Sequence, residues 1–489
     1  MVFSNLLFLY LFLPLNLLFY FFAKDTHSKN IVMIVFSLIF YAWGEPKYVF
    51  LLLGMTLWSW GAGILVQRYR NTPRVKLLLG IAVGGCLLLL GIFKYLTFLL
   101  GTTNNLFGFP KIVPQIMLPI GISFYTFQLL SYIVDVYREE VPAQQSFFRL
   151  LLYVSLFHQC IAGPIVRYKD ISEEILLRKM TISGLNRGIS RFTAGLAKKA
   201  ILANTCGLLA DQLLLSDAIT SDPAQLAENA VILAQKPVLA LWLGVLMFSL
   251  QIYLDFSAYS DMAIGMGLMI GFHYKENFDY PYMSSSVSEF WRRWHISLGS
   301  FFRDYVYIPL GGNRKESKRT ILNLFVVWGL TGLWHGASWN FLLWGLYFFV
   351  FIAMEKLFLR EKLENAPAAI RHLYLITVVY FGWILFRFKQ FSLGGIVLKG
   401  MFGLNGNAFT NAETTTLLLN YLFFIFIAVF SVTPVMRNIG RILSHTAKDS
   451  AVMAKVFSVT QIAVPVILLL ISTMTLVGNS YNPFLYFQF

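Results

Sequence analysis

Apolar residues run along this chain in blocks of near-spanning length, parted by short polar breaks. Blocks fall near residues 3–22, 31–45, 48–66, 77–100 and 115–137, then near 200–215, 237–256 and 257–272. They resume near 320–336, 339–355, 372–388, 417–434 and 457–477. A helix needs about 20 apolar residues to cross a bilayer core of roughly 30 Å, so the pattern predicts an all-α, polytopic transmembrane bundle of about 11–13 spans. It reads as one embedded domain over residues 1–489. Asp255 and Asp261 interrupt the 237–272 stretch, which suits either two spans or one long or broken helix. The first block lacks a basic leader and a small-residue cleavage site and is followed directly by Lys24, so it reads as a retained span.

Two regions depart from the block pattern. Phe147 to Ile161 is apolar but too short to cross comfortably, and an Arg/Lys-rich amphipathic stretch follows to Ala203. This predicts a re-entrant or interfacial helix on the cytoplasmic face. Between Lys275 and Arg319, Pro281, Pro309, Gly311 and Gly312 interrupt a polar segment in which aromatics alternate with arginines. Irregular backbone at membrane depth survives only where protein or a water-filled cavity satisfies it.

Composition agrees with embedding: 57% of the 489 residues are apolar and 13% charged, against about 45–50% and about 25% in soluble domains. The net charge of +15 would raise nucleic acid as a partner if it were spread over a soluble surface. Instead the basic residues are one-sided. With the Arg68, Arg70, Arg74, Lys76 loop taken as cytoplasmic, alternation puts the Arg138 to Lys199, Arg292 to Arg319, Lys356 to Arg371 and Arg437 to Lys455 regions on the same face. The opposite loops hold only Lys47, Lys111, Lys236, Lys389 and Lys399. A positive-inside pattern accounts for the charge without nucleic acid, and places both termini outside. Cys86, Cys160 and Cys206 are isolated, which indicates neither a disulfide framework nor a metal site.

Soluble-enzyme signatures such as Walker A, HExxH and GxSxG are absent. The chemistry must then lie in polar residues inside apolar blocks, which are costly in a bilayer. His335 leads them, within GLTGLWHGASWNFLLWG. If a helix enters near Thr320, its rise of about 1.5 Å per residue puts His335 roughly 22 Å deep, past the midplane. Gly332, Gly336 and Ala337 permit close backbone approach, Trp334 and Trp339 suit the walls of a narrow passage, and Trp334 or Asn340 could orient the ring. On spacing alone, a buried histidine bonded across a helix contact fits as well. His295 stands among Arg292, Arg293, Arg303 and Arg314, a cluster suited to the phosphates and adenine of a nucleotide-bearing acyl carrier. Topological anchoring with an interfacial aromatic belt is the plainer explanation of the same residues. Asp255, Tyr259 and Ser260 could line a polar tunnel or simply bond helix to helix.

The long motifs LPIGISFYTFQLLSYIVDVYR, AGPIVRY, DFSAYSDMAIG, FWRRWHISLGSFFRDYVYIPLGGNR and LWHGASWNFLLWG, with the closing YNPFLYFQF, occur in an order that resembles the membrane-bound O-acyltransferases, specifically the bacterial alginate O-acetyltransferase type. The likeness covers essentially the whole chain. It implies a ring-like helical bundle, thinned in the middle, whose tunnel joins a cytoplasmic donor entrance to an extracytoplasmic funnel. It also implies that His335 is the catalytic histidine and His295 the second signature histidine, in a supporting or donor-binding role. Acetyl-CoA or an acyl carrier protein would supply the thioester. The acceptor-side partner would be a separate extracytoplasmic transferase of the serine-hydrolase-like class, and the site of action the bacterial cytoplasmic membrane with its lipid. Ala258 replaces a glycine found in many relatives. D-alanyl transfer to teichoic acid, a transporter or flippase, and a scaffold of an export complex are the competing functions.

Overall fold

The computed structural model describes residues 2–108, 113–160, 163–215, 222–314, 316–478 and 484–485. Every regular element among them is helical, because a helix satisfies its own backbone donors and acceptors where lipid offers none. Seven helices are long and apolar enough to cross a membrane: Pro46–Arg68, Arg74–Phe107, Val238–Ile270, Trp339–Asn365, Ala368–Arg387, Ala412–Ser431 and Ala451–Gly478. Phe8–Phe22, Thr26–Gly44, Ile122–Tyr137 and Ser317–His335 complete the bundle with shorter or less apolar helices. The chain is a multi-pass α-helical membrane protein.

Its core is Val238–Ile270, one unbroken helix of 33 residues that takes up both blocks of the 237–272 region. Asp255 and Asp261 do not interrupt it because their charge is met from a neighbouring helix. Lys199 Nζ lies 2.7 Å from Asp255, and Lys198 Nζ and Arg191 Nη2 lie 2.6 and 3.0 Å from Asp261. These bases belong to Ile182–Ala197 and to the π-helical turn Lys198–Ala203, which runs on into Asn204–Leu214. The 182–203 stretch continues without a break into Asn204–Leu214, and its inner cations face carboxylates of the core helix. Close approach makes this possible: a Cβ on Gly188 would lie 2.6 Å from Gly265 O, and one on Gly265 would lie 2.7 Å from Gly188 O. Small residues at such a seam let two backbones touch.

Between the core helix and Ser317–His335 the chain forms two seven-residue helices, Val287–Arg293 and Ile296–Phe302, then the π-helical turn Arg303–Tyr307. Such short helices cannot hold themselves in place. Buried Glu355 accepts hydrogen bonds from Val287 N and Ser288 N, at 2.7 and 2.8 Å, and so satisfies orphan donors at the first helix start. Asp304 pairs with Arg167 at 2.8 Å, and Tyr305 Oη donates to Asp135 at 2.6 Å, tying the segment to the first half of the chain. Ser317–His335 then folds back on Trp339–Met354. Gly332 and Gly345 face the opposing backbone so closely that a Cβ on either would collide with it.

Candidate active site

His335 is the last residue of Ser317–His335, and the chain leaves the helix at extended Gly336. Its imidazole is buried between Trp334, Trp344 and Phe386, whose ring centroids lie 5.0, 4.9 and 5.5 Å away. Trp334 belongs to the apolar cluster of the first half of the chain and Trp344 to that of the second, so the histidine sits at their junction. Asn340 donates to Leu385 O and Phe386 O at 3.3 Å each. It therefore braces the aromatic wall on which His335 rests.

One cavity of ≈ 300 Å³ reaches both histidines. Leu324, Val327, Trp328, Thr331 and His335 form one stripe of its wall. These positions recur at helical spacing, so the cavity follows a single helix face for about 16 Å at 1.5 Å per residue. Ser288, Arg292, Tyr307, Leu324 and Ile352 are shared with a wider polar cavity of ≈ 650 Å³, whose wall also carries Lys356, Arg360 and Arg371. This is the mouth of the site, where these basic residues share the wall with Glu289, Glu355 and Glu364. Beyond His335 lies a void of only ≈ 20 Å³, closed by Phe256, Phe386, Phe484 and Leu485 among others.

His295 has a left-handed backbone, φ 45° and ψ 54°, unusual for a residue with a Cβ. Strain of this kind persists only where neighbours over-determine it, and here Asn277 does so. Asn277 O accepts from Ile296 N at 2.9 Å. Asn277 Oδ1 accepts from Ser297 N at 3.2 Å and Ser297 Oγ at 2.8 Å, and lies 3.1 Å from His295 Nδ1. Asn277 Nδ2 donates to Ser260 Oγ at 3.2 Å. An oxygen already accepting from two donors requires a protonated Nδ1, which leaves Nε2 of His295 as the bare acceptor. That nitrogen is buried and has no hydrogen-bond partner among the described residues.

The proposed site residues separate into groups. His295, Trp334 and His335 come together, with the Trp334 ring 5.5 Å from His295. Ser260 reaches His295 through Asn277. Asp255 faces Lys199 and accepts from Leu485 N at 2.7 Å, while Tyr259 stacks on Phe3 at 4.3 Å and lies 4.8 Å from Phe484. Neither lines a described cavity wall with His335. Arg292 lines both the inner cavity and the mouth and makes no ion pair among the described residues, and Arg303 lines the inner cavity while pairing with Asp304 at 2.7 Å. Arg293 turns instead to Glu289 at 2.7 Å, and Arg314 is exposed away from both cavities.

Sequence reasoning passed over three sets of residues. Lys356, Arg360 and Arg371 had been absorbed into the topological charge pattern. Asn277 carried no signal in an irregular loop. Lys94, alone in an apolar span, was the detectable one: it is only 9% exposed, and its ammonium donates to Ser123 Oγ at 3.0 Å and to Trp334 O, beside His335.

Residues 137–398 match the membrane-bound O-acyltransferase family, MBOAT. Over the full length of both chains, the protein is 36% identical to one named "Probable alginate O-acetylase AlgI" from Pseudomonas putida. It is 31% identical to a "Peptidoglycan O-acetyltransferase" of Helicobacter pylori, over 83% of this chain and 80% of that one. Likeness to a "Teichoic acid D-alanyltransferase" of Bacillus subtilis is 25%, over 56% of this chain and 68% of the other. His335 thus ends a buried aromatic chamber, and the chain that carries it belongs to the membrane-bound O-acyltransferase family and is an acyltransferase.

Proposed function

We propose that this acyltransferase takes an acetyl group from a cytoplasmic thioester such as acetyl-CoA and passes it through the bacterial cytoplasmic membrane towards a hydroxyl on the outer side. The observation that carries the reading is the stripe of Ser317–His335 that leads from the arginine-lined mouth to His335. Arg292, with Lys356 and Arg371, would meet donor phosphates, and the narrow aromatic chamber would admit the pantetheine arm and acyl group. An acyl carrier protein would present the same arm. Full-length similarity to a protein named for alginate O-acetylation favours acetyl over D-alanyl transfer and an O-acetylated polysaccharide as the end product.

A thioester is already activated, so the protein must deliver a base and exclude water. Neutral His335 accepts the proton of the acceptor hydroxyl as its oxygen bonds to the acyl carbon. The C–S bond then breaks, and the departing thiolate takes up that proton from the His335 imidazolium. His295, fixed by Asn277 with Nε2 as acceptor, holds a donor-side N–H rather than performing the transfer. The acceptor is a separate extracytoplasmic transferase of the serine-hydrolase-like class, because the outer loops, chiefly Lys389 to Thr416, are too short to grip a long polysaccharide.

The test is transfer in proteoliposomes with labelled acetyl-CoA on the mouth side, with and without the partner, for wild type and His335→Ala. Transfer that needs the partner and falls about 10²–10⁴-fold in the variant is expected. Efficient glycan acetylation by the lone protein refutes the relay, and equal activity in His335→Ala refutes the base.

A further inference from the structure

Arg371 stands in the first turn of Ala368–Arg387 and Lys389 two residues past its last, about 27 Å away at 1.5 Å per residue. Arg371 lies on the wall of the mouth, whereas Lys389 lines a second cavity of ≈ 220 Å³ at the other end of the helix. Gly336, Ala337 and Ser338, the residues that follow His335, line this outer cavity too. Lys94 lines it as well. Positive-inside topology explains the mouth but not a lysine buried within a span, nor its company with one of the few lysines on the outer face.

Lys94 lies in the π-helical turn Gly91–Tyr95, which interrupts the long helix Arg74–Phe107. Single π turns often mark functional positions, and this one directs two consecutive side chains at the end of the helix that bears His335. Lys94 Nζ donates to Trp334 O, and Tyr95 Oη donates to Leu333 O at 2.9 Å. The last four carbonyls of a helix have no partner within it. They also carry the negative end of its dipole, which a nearby cation stabilises. The ammonium is held in turn by Ser123 Oγ at 3.0 Å and lies 5.8 Å from the Trp334 ring centroid.

We infer that Lys94 is a positioning residue of the transfer reaction: from the outer side it clamps the turn that presents His335, and it lines the cavity by which the hydroxyl acceptor arrives. The inference rests on His335 being the base. An ammonium has three N–H donors. Two are engaged by Trp334 O and Ser123 Oγ, and the side chain borders the cavity as well, so one group joins the helix end to the acceptor's path. The donor enters from the other side of His335, and its binding does not involve Lys94.

The experiment compares wild type, Lys94→Met, Lys94→Arg, Tyr95→Phe and His335→Ala in proteoliposomes, with melting temperature recorded for each. Lys94→Met is expected to lower kcat by roughly 10²-fold, the cost of a small misplacement of a reacting group, while donor KM stays unchanged. Lys94→Arg recovers most of the loss, since the cavity has room for the larger head group, and Tyr95→Phe gives a smaller fall in kcat. Unchanged kcat in Lys94→Met, or a loss confined to donor KM, overturns the inference. If Lys94→Met does not fold, full kcat in a folded Tyr95→Phe overturns it. An inactive His335→Ala beside a fully active Lys94→Met removes this inference alone, whereas an active His335→Ala removes the reading on which it rests.

Discussion

His295 Nδ1 lies 3.1 Å from the Asn277 side-chain oxygen, and that contact selects the tautomer of a histidine whose backbone is held in a left-handed conformation. Because the same oxygen accepts from Ser297 N and Oγ, Asn277 fixes both the ring and the loop beneath it. Asn277→Ala should therefore weaken transfer more than fold, by roughly tenfold, or about 1.4 kcal/mol in the transition state. Asn277→Asp should be milder, since its carboxylate keeps the acceptor. Steady-state kinetics with melting curves separate the two effects, and wild-type kcat in Asn277→Ala contradicts the account.

The mouth predicts unequal arginines. Arg292→Ala should raise the KM for acetyl-CoA about tenfold, the value of about 1.4 kcal/mol of binding. Arg293→Ala should leave it near wild type, because Arg293 is already paired with Glu289 at 2.7 Å. Equal effects of the two substitutions would reduce the cluster to a topological signal.

Lys199 and Asp255 are 5% and 2% exposed and form an ion pair within the bundle. Lys199→Met should destabilise the protein by about 3–5 kcal/mol, because it leaves a buried carboxylate without its counter-charge. Replacing both, as Lys199→Met with Asp255→Leu, should recover most of that loss. Thermal melts in detergent test this, and a double variant as unstable as the single one would mean that the contact of Asp255 with Leu485 N, not its charge, dominates.

Acid should loosen the re-entrant segment at Asp304. Burial raises its carboxyl, but hydrogen bonds and charge from Arg303 and Arg167 outweigh it and hold the group below its ordinary 3.8. A carboxyl lowered on folding contributes stability that is complete above the unfolded value and is lost as pH falls through the folded one. The melting-temperature gap between wild type and Asp304→Asn should thus be constant at neutral pH and close below about pH 4. A gap independent of pH contradicts the pairing.

Cysteines placed at Arg360 and at Lys389 should label from opposite faces of the membrane. Native Cys86, Cys160 and Cys206 are all buried and should give little background. Labelling of both positions from one face would contradict the placement of the two cavities on opposite sides of the membrane.

The spans, the one-sided charge and His335 were legible in the sequence, because each depends on a quantity that accumulates locally. Twenty apolar residues require a bilayer wherever they occur, loop lysines and arginines orient a bundle by number rather than by contact, and a histidine within GLTGLWHGASWNFLLWG is conspicuous by its surroundings. The closing YNPFLYFQF lies largely outside the described residues, which include only Phe484 and Leu485 of it.

Pairing between distant residues was decided by tertiary structure alone. Whether Asp255 and Asp261 broke a helix depended on Lys199, Lys198 and Arg191 arriving from another element. Among the arginines near His295, composition could not tell Arg292, which faces the cavities, from Arg293, which faces Glu289. Asn277 and Lys94 gained their places beside His295 and His335 from contacts 18 and 240 residues away along the chain. A buried polar group must find a partner, and in a bundle that partner is chosen by which helix faces are brought together, not by proximity in sequence.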